Sequence, residues 1–198
     1  ARGLAVAGER LFVSTTRGTI YAFGASTGLQ QHRESKMVKP VKGIDEATAA
    51  SVEGLIEQLP RQQGYALVVG VEDGSLIRAL AEQTRLHVLG IDTDGERIAR
   101  LRNEFHALGL YGAWKSEEGK RGSVALQQVA GFEQLPFVDG IFNLVTNGTA
   151  DVRVPPGELQ RVIRPWDGIA VFGDKTWKGK VPEGSGSWTH AYGKRYLV

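Results

Sequence analysis

The sequence predicts an α/β domain with a mostly parallel sheet covered by helices on both faces, preceded by a short antiparallel β-meander. Two continuous apolar runs, residues 66–69 and 86–91, have the composition of strands buried on both faces. A helical pattern at about residues 75–83 lies between them, which makes the three a right-handed crossover unit. Strand-like and helix-like segments go on alternating as far as Phe172, as a parallel sheet with crossover connections requires.

The 198 residues, 41% of them hydrophobic, suffice for one substantial core and a small appendage. A net charge of +2 gives no electrostatic footprint for nucleic acid, and residues 61–173 carry slightly more acids than bases. The basic excess falls after Gly173, at Lys175, Lys178, Lys180, Lys194 and Arg195, and reads as a solvated tail. The four tryptophans, Trp114, Trp166, Trp177 and Trp188, are scattered and form no stacking platform for bases. Without cysteine, disulfides, thiolate metal sites and cysteine nucleophiles are excluded. No apolar run approaches the ~20 residues of a membrane-spanning helix, so no membrane contact is expected. The chain starts at Ala1 rather than Met, as expected of an excerpt or a processed product.

Taken in order, residues 1–28 alternate with a period of two. Leu4 and Val6, Leu11 and Val13, then Ile20 and Ala22 mark three strands, with Tyr21 and Phe23 out of phase, and Gly8-Glu9 and Arg17-Gly18 mark the turns. Residues 29–43 are polar and basic, contain Pro40 and Gly43, and read as a linker. Ala49, Val52, Leu55, Ile56 and Leu59 recur at helical spacing, with Asp45 or Thr48 as cap and Pro60 as the stop. Beyond the crossover unit, Ile98, Leu101, Phe105 and Leu108 form the apolar face of a helix over residues 95–108. Residues 115–122 read as a loop, 124–129 as a third strand and 141–146 as a fourth. A short helix over 156–163 then leads into a fifth strand over 168–172.

The chemistry concentrates where the first strand ends. Gly70-Val71-Glu72-Asp73-Gly74 is a bend that would bring a ligand close to a helix N-terminus, and Asp92 closes the second strand about twenty residues on, positioned to accept ribose hydroxyls. Dinucleotides and S-adenosylmethionine both use this geometry. The dinucleotide fingerprint G-x-G-x-x-G is absent, which lowers the case for nicotinamide-dependent oxidoreduction. Asp73 and Asn147 stand near the same strand ends, while His87 in a strand and His106 on a helix read as packing and surface residues. His32 and His190 lie in the linker and tail, and none of the four has metal-site spacing.

Three runs resemble class I S-adenosylmethionine-dependent methyltransferases of the methyltransferase type 11-like kind. Gly70-x-x-x-Gly74 is similar to their G-x-G-x-G turn, with Glu72 at the middle glycine. Glu133-Gln134-Leu135-Pro136-Phe137-Val138-Asp139-Gly140-Ile141-Phe142-Asn143-Leu144-Val145 resembles the run leading into their fourth strand. Glu158-Leu159-Gln160-Arg161-Val162-Ile163-Arg164-Pro165 resembles the helix and turn before their fifth.

The resemblance spans about residues 45–173 and implies a Rossmann-like domain over residues 44–174. It also implies S-adenosylmethionine as cofactor, contacts from Gly70, Glu72, Gly74, Asp92 and Thr93, and a small-molecule acceptor, with the catalytic residues unassigned. Three departures leave open a second reading, a non-catalytic fold serving as an interaction or scaffolding module. Glu72 replaces a glycine, Ala130-Gly131-Phe132 lacks the acid that contacts adenine, and Thr146-Asn147-Gly148 lacks the acid or Asn/Asp-Pro pair at the fourth strand's end.

The flanks carry a different likeness. Gly18-Thr19-Ile20-Tyr21-Ala22-Phe23 followed by Ser26-Thr27-Gly28 resembles part of a blade of a quinoprotein-like (PQQ-like) β-propeller. Within the tail, residues 175–198, the run 182–198 looks like the opening of a further repeat. The resemblance implies that the α/β domain is inserted in a larger propeller protein; the alternative is a self-contained protein whose meander packs on the sheet edge.

Overall fold

The computed structural model describes residues 3–15, 20–24, 44–112, 122–181 and 183–184. The expected turn at Arg17-Gly18, the whole 29–43 linker, nearly all of the 115–122 loop and most of the 182–198 run lie outside the described residues. The chain divides into two compact units, Ala1–Lys36 and Met37–Val198.

The first unit holds the meander, β1 (Gly3–Ala7), β2 (Arg10–Ser14) and β3 (Ile20–Gly24), paired antiparallel in that order. Its register corrects the phase expected for β3. Leu4 stands opposite Val13 and Val13 opposite Tyr21, while Val6 faces Leu11 and Leu11 faces Phe23. Directly paired residues point to the same side, so Tyr21 and Phe23 continue the face of Leu4, Val6, Leu11 and Val13, and Ile20 and Ala22 lie on the other.

In the second unit the expected elements form α1 (Glu46–Glu57), β4 (Gln63–Val69), α2 (Ser75–Gln83), β5 (Arg85–Asp92), α3 (Gly95–Ala107), β6 (Ser123–Gln128), β7 (Leu144–Asn147), α4 (Pro156–Val162) and β8 (Ile169–Phe172). Asp45 is the N-cap of α1 and accepts the Thr48 backbone N–H at 2.7 Å. Asp94 caps α3, accepting from Glu96 N and Arg97 N at 3.0 Å each.

The sheet runs β6-β5-β4-β7-β8-β9, parallel throughout except at its last strand. That strand, β9 (Lys175–Lys178), corrects the reading of a tail that starts at 175. The chain turns at Gly173-Asp174 and pairs Phe172 with Lys175 and Ala170 with Trp177, so the first four tail residues belong to the sheet. Lysines flanking Trp177 hid the strand, because an edge strand with one partner keeps its polar residues in water. The fourth strand also starts later than expected. Phe142 bridges to Ile163 at the end of α4, and Asn143 turns to the start of β4, donating its N–H to Tyr65 O at 2.8 Å and accepting Tyr65 N at 3.1 Å on its side chain. Only Leu144–Asn147 is left for the ladder.

Alternation along β4 divides the core. Ala66 and Val68 face a cluster with Val52, Leu55, Ile77, Leu80, Leu101 and Phe105 from α1, α2 and α3. Leu67 and Val69 face a second cluster with Leu159 and Val162 of α4 and Leu135 and Phe142. The connections change faces between β4 and β7, the point in a doubly wound sheet where a crevice opens beyond the strand ends. No helix among the described residues is long and apolar enough to cross a membrane.

Candidate functional site

At that reversal point three strand ends meet, since Val69 of β4 pairs with Ile91 of β5 on one side and with Asn147 of β7 on the other. The bend after β4 rises over them. Gly70 and Gly74 have φ of +75° and +84°, a region that disfavours side chains. Both also sit where protein closes in: a Cβ on Gly70 would lie 2.5 Å from Val152 Cγ2, and one on Gly74 2.9 Å from Leu101 Cδ2. The two glycines therefore serve packing, Gly70 against the loop after β7 and Gly74 between α2 and α3. Between them Glu72 also has positive φ, +45°, while its side chain is exposed. A non-glycine residue in this conformation stores about 1 kcal/mol or more of strain.

Asp92 lies beneath the bend, 3% exposed. Its Oδ2 accepts Val71 N at 2.9 Å and Arg97 Nη1 at 3.0 Å, and its Oδ1 accepts Asp94 N at 2.9 Å. Burial pushes this carboxyl up, but the hydrogen bonds from Asp94, Val71 and Arg97 outweigh it and hold the group below its ordinary value. One carboxylate thus ties the bend, the turn into α3 and the first turn of that helix together. Arg97, its cationic partner, went unnoticed in the sequence; the available signal was a cation five residues past the acid, on the first turn of a helix. Thr93 is exposed beyond Asp92, and its carbonyl accepts Gln128 Nε2 at 3.2 Å.

Two hollows flank the reversal point. One, about 290 Å³, is lined by Val71, Glu72, Asp73, Ser75 and Leu76 of the bend and α2, by Ala47, Thr48 and Ser51 of α1, and by Asn147 and Gly148. The other, about 560 Å³, lies between the ends of β7 and β8 under the loop after β7, lined among others by Asn147, Arg153, Leu159, Phe172, Lys175 and Trp177. Asn147 borders both, and its Nδ2 donates to Thr149 O at 2.8 Å. Of the five residues expected to contact a cofactor, the structure brings Gly70, Glu72 and Gly74 onto one bend and ties Asp92 to it, yet only Glu72 lines the smaller hollow. Asp92 lines neither. The second hollow had no sequence signal, because its walls come from β7, α4 and a strand read as tail.

His87 Nδ1 pairs with Ser123 Oγ at 2.7 Å and its ring lies 5.4 Å from Tyr65, a packing role, while His106 is exposed at the end of α3. No cluster of three or more metal-ligating side chains occurs among the described residues.

No family model matches the sequence, and no curated protein does. Solved structures do. The [4+2]-cyclase SpnF aligns with a TM-score of 0.51 and 19% identity over 69% of this chain and 47% of its own. The fold is Rossmann-like. YcgJ from Bacillus subtilis (TM-score 0.47, 21% identity, 61% of this chain and 48% of its own) and a geranyl diphosphate methyltransferase solved with S-adenosylmethionine (0.46, 16%, 62% and 47%) are also similar. The chain spans about half the length of these proteins. At such identities the likeness carries the architecture and no reaction, and the propeller-like flanks find no support in it.

Proposed function

We propose that residues 44–174, with β9, form an S-adenosylmethionine-binding domain that transfers a methyl group to a small-molecule acceptor. The observation that carries this reading is the pair of adjoining hollows at the sheet's reversal point, with Asn147 as their common wall: one for the donor, one for the acceptor. When bound, the cofactor supplies a methyl group on a cationic sulfonium. The residues present suit it in one respect: Glu72 and Asp73 place carboxylates at the smaller hollow, where a sulfonium or an ammonium would sit. The chain's own contribution is positioning. The bend, pinned by Asp92, holds the donor side; α1 covers it with Thr48 and Ser51; Asn147, its Nδ2 anchored to Thr149, borders both hollows.

Calorimetric titration with S-adenosylhomocysteine tests this. Saturable heat is expected for the natural sequence and its loss for Ser51→Trp, which fills the smaller hollow from the exposed side of α1. Absence of heat at millimolar ligand from folded protein removes the reading.

A second reading, a non-catalytic fold acting as a scaffold in a larger propeller protein, has its own support. Val152 crowds Gly70, three of the acceptor positions on Asp92 are already filled, and one face of the meander exposes Leu4, Val6, Tyr21 and Phe23, each more than half accessible, as a surface suited to being covered.

A further inference from the structure

We propose that the larger hollow binds a small aromatic monocarboxylate; this deepens the methyl-transfer reading, on which the ligand's role as acceptor rests, by naming the acceptor's class. The cavity, about 560 Å³, lies within the ~300–1,000 Å³ range of small-molecule sites. Its apolar wall is built by Val154, Leu159, Phe172 and Trp177, the last two rings edge-to-face at 6.4 Å. Such a pair offers a ring-sized ligand both a face and an edge to pack on.

Charge then selects the ligand. Arg153 and Lys175 both line the cavity, and neither takes part in an ion pair among the described residues. Arg153 is anchored through Nη1, which donates to the carbonyls of Ala150 and Val152 at 2.5 and 3.0 Å. That fixes the guanidinium on its own loop and leaves its Nε and Nη2 donors for a ligand, in the fork geometry that suits a carboxylate. Asp174 is the one acid on the wall among the described residues. Two cations against one acid leave a single uncompensated positive charge, which one carboxylate neutralises and a doubly charged phosphate monoester would overshoot. The wall has no matching surplus of acid for a cationic ligand, and a neutral one would leave the guanidinium without an anionic partner.

The test omits the cofactor. Calorimetric titration with 4-hydroxybenzoate is expected to saturate, and the neutral analogue 4-hydroxybenzyl alcohol to bind at least tenfold more weakly, the scale of a charge-assisted hydrogen bond. Arg153→Gln and, separately, Lys175→Gln, which sits exposed on the edge strand, should each weaken the benzoate severalfold or more while leaving the alcohol unchanged. Phenyl phosphate, run in parallel, should bind more weakly than the benzoate. Equal affinity for benzoate and alcohol, preference for the phosphate, or insensitivity to both substitutions overturns the proposal. Benzoate binding without S-adenosylhomocysteine binding leaves the site standing and removes methyl transfer; the reverse removes the acceptor class alone.

Discussion

The two hollows share a wall and differ in almost everything else. The smaller is a backbone feature: its rim is a bend whose glycines are dictated by φ and by close packing, and whose position is set by a buried carboxylate beneath it. The larger is a side-chain feature, its walls drawn from a loop, a helix and three strands within the single stretch 147–177. The first carries acids, Glu72 and Asp73, and the second carries an excess of cations. The lesson is that a ligand site built from backbone geometry leaves a compact sequence motif, whereas one built from converging side chains leaves none, even when it is the roomier of the two.

The largest expected effect falls beneath the smaller hollow. Asp92→Ala orphans two backbone donors, Val71 N and Asp94 N, and leaves Arg97 with the longer pair to Asp94 alone. A buried donor without an acceptor costs about 1–3 kcal/mol, so chemical denaturation should show a loss of about 3 kcal/mol. Arg153→Ala, which touches only the other hollow's rim, should cost under about 1 kcal/mol. Comparable losses for the two would break the contrast between a pinned bend and an adaptable cavity.

Acid sharpens the same contrast. A carboxyl whose pKa is lowered on folding contributes stability above its unfolded value and loses it as pH falls through the folded one. Asp92, ordinarily near 3.8, is of this kind, and so is Glu158, ordinarily near 4.5 and held down first by the hydrogen bond from Arg161. Denaturation midpoints measured over a pH series should therefore be level near neutrality and fall below about pH 4.5. Asp92→Asn should flatten the lower part of that fall. Glu158→Gln should flatten the upper part, because the carboxyl that Arg161 holds down no longer titrates, while Arg161 keeps its own bonds to Leu135 O, Phe137 O and Asp139.

The smallest effect is a gain. Glu72→Gly removes a side chain from a left-handed position, and should raise stability by about 1 kcal/mol. On the methyl-transfer reading it also removes one of the two carboxylates at the smaller hollow, so S-adenosylhomocysteine, which carries an ammonium, should bind severalfold more weakly. A stability gain with unchanged affinity would instead remove Glu72 from the ligand contacts.

What was legible in advance follows from local physics. The element order from α1 to β8 could be read because each element buries an apolar face with its own period, and the bend with Asp92 could be read because glycine and an acid at that spacing have few other uses. Where long-range contacts decided, the reading slipped. The start of β7 moved because Phe142 bridges to Ile163 at the end of α4 and Asn143 turns its side chain onto Tyr65 N at the start of β4, and Tyr21 and Phe23 changed face because register depends on pairing across a turn.

By itself, then, the chain order determined an alternating α/β domain with a ligand-type bend at the end of its first parallel strand. Folding in three dimensions decided which way Asp92 points, that a lysine-flanked segment closes the sheet as β9, and that Arg153, Phe172 and Lys175 converge on one cavity. The physical reason is range. Strand and helix periods and glycine turns act within a few residues, whereas the destination of a carboxylate's lone pairs and the charge of a cavity depend on atoms that only the completed sheet brings together.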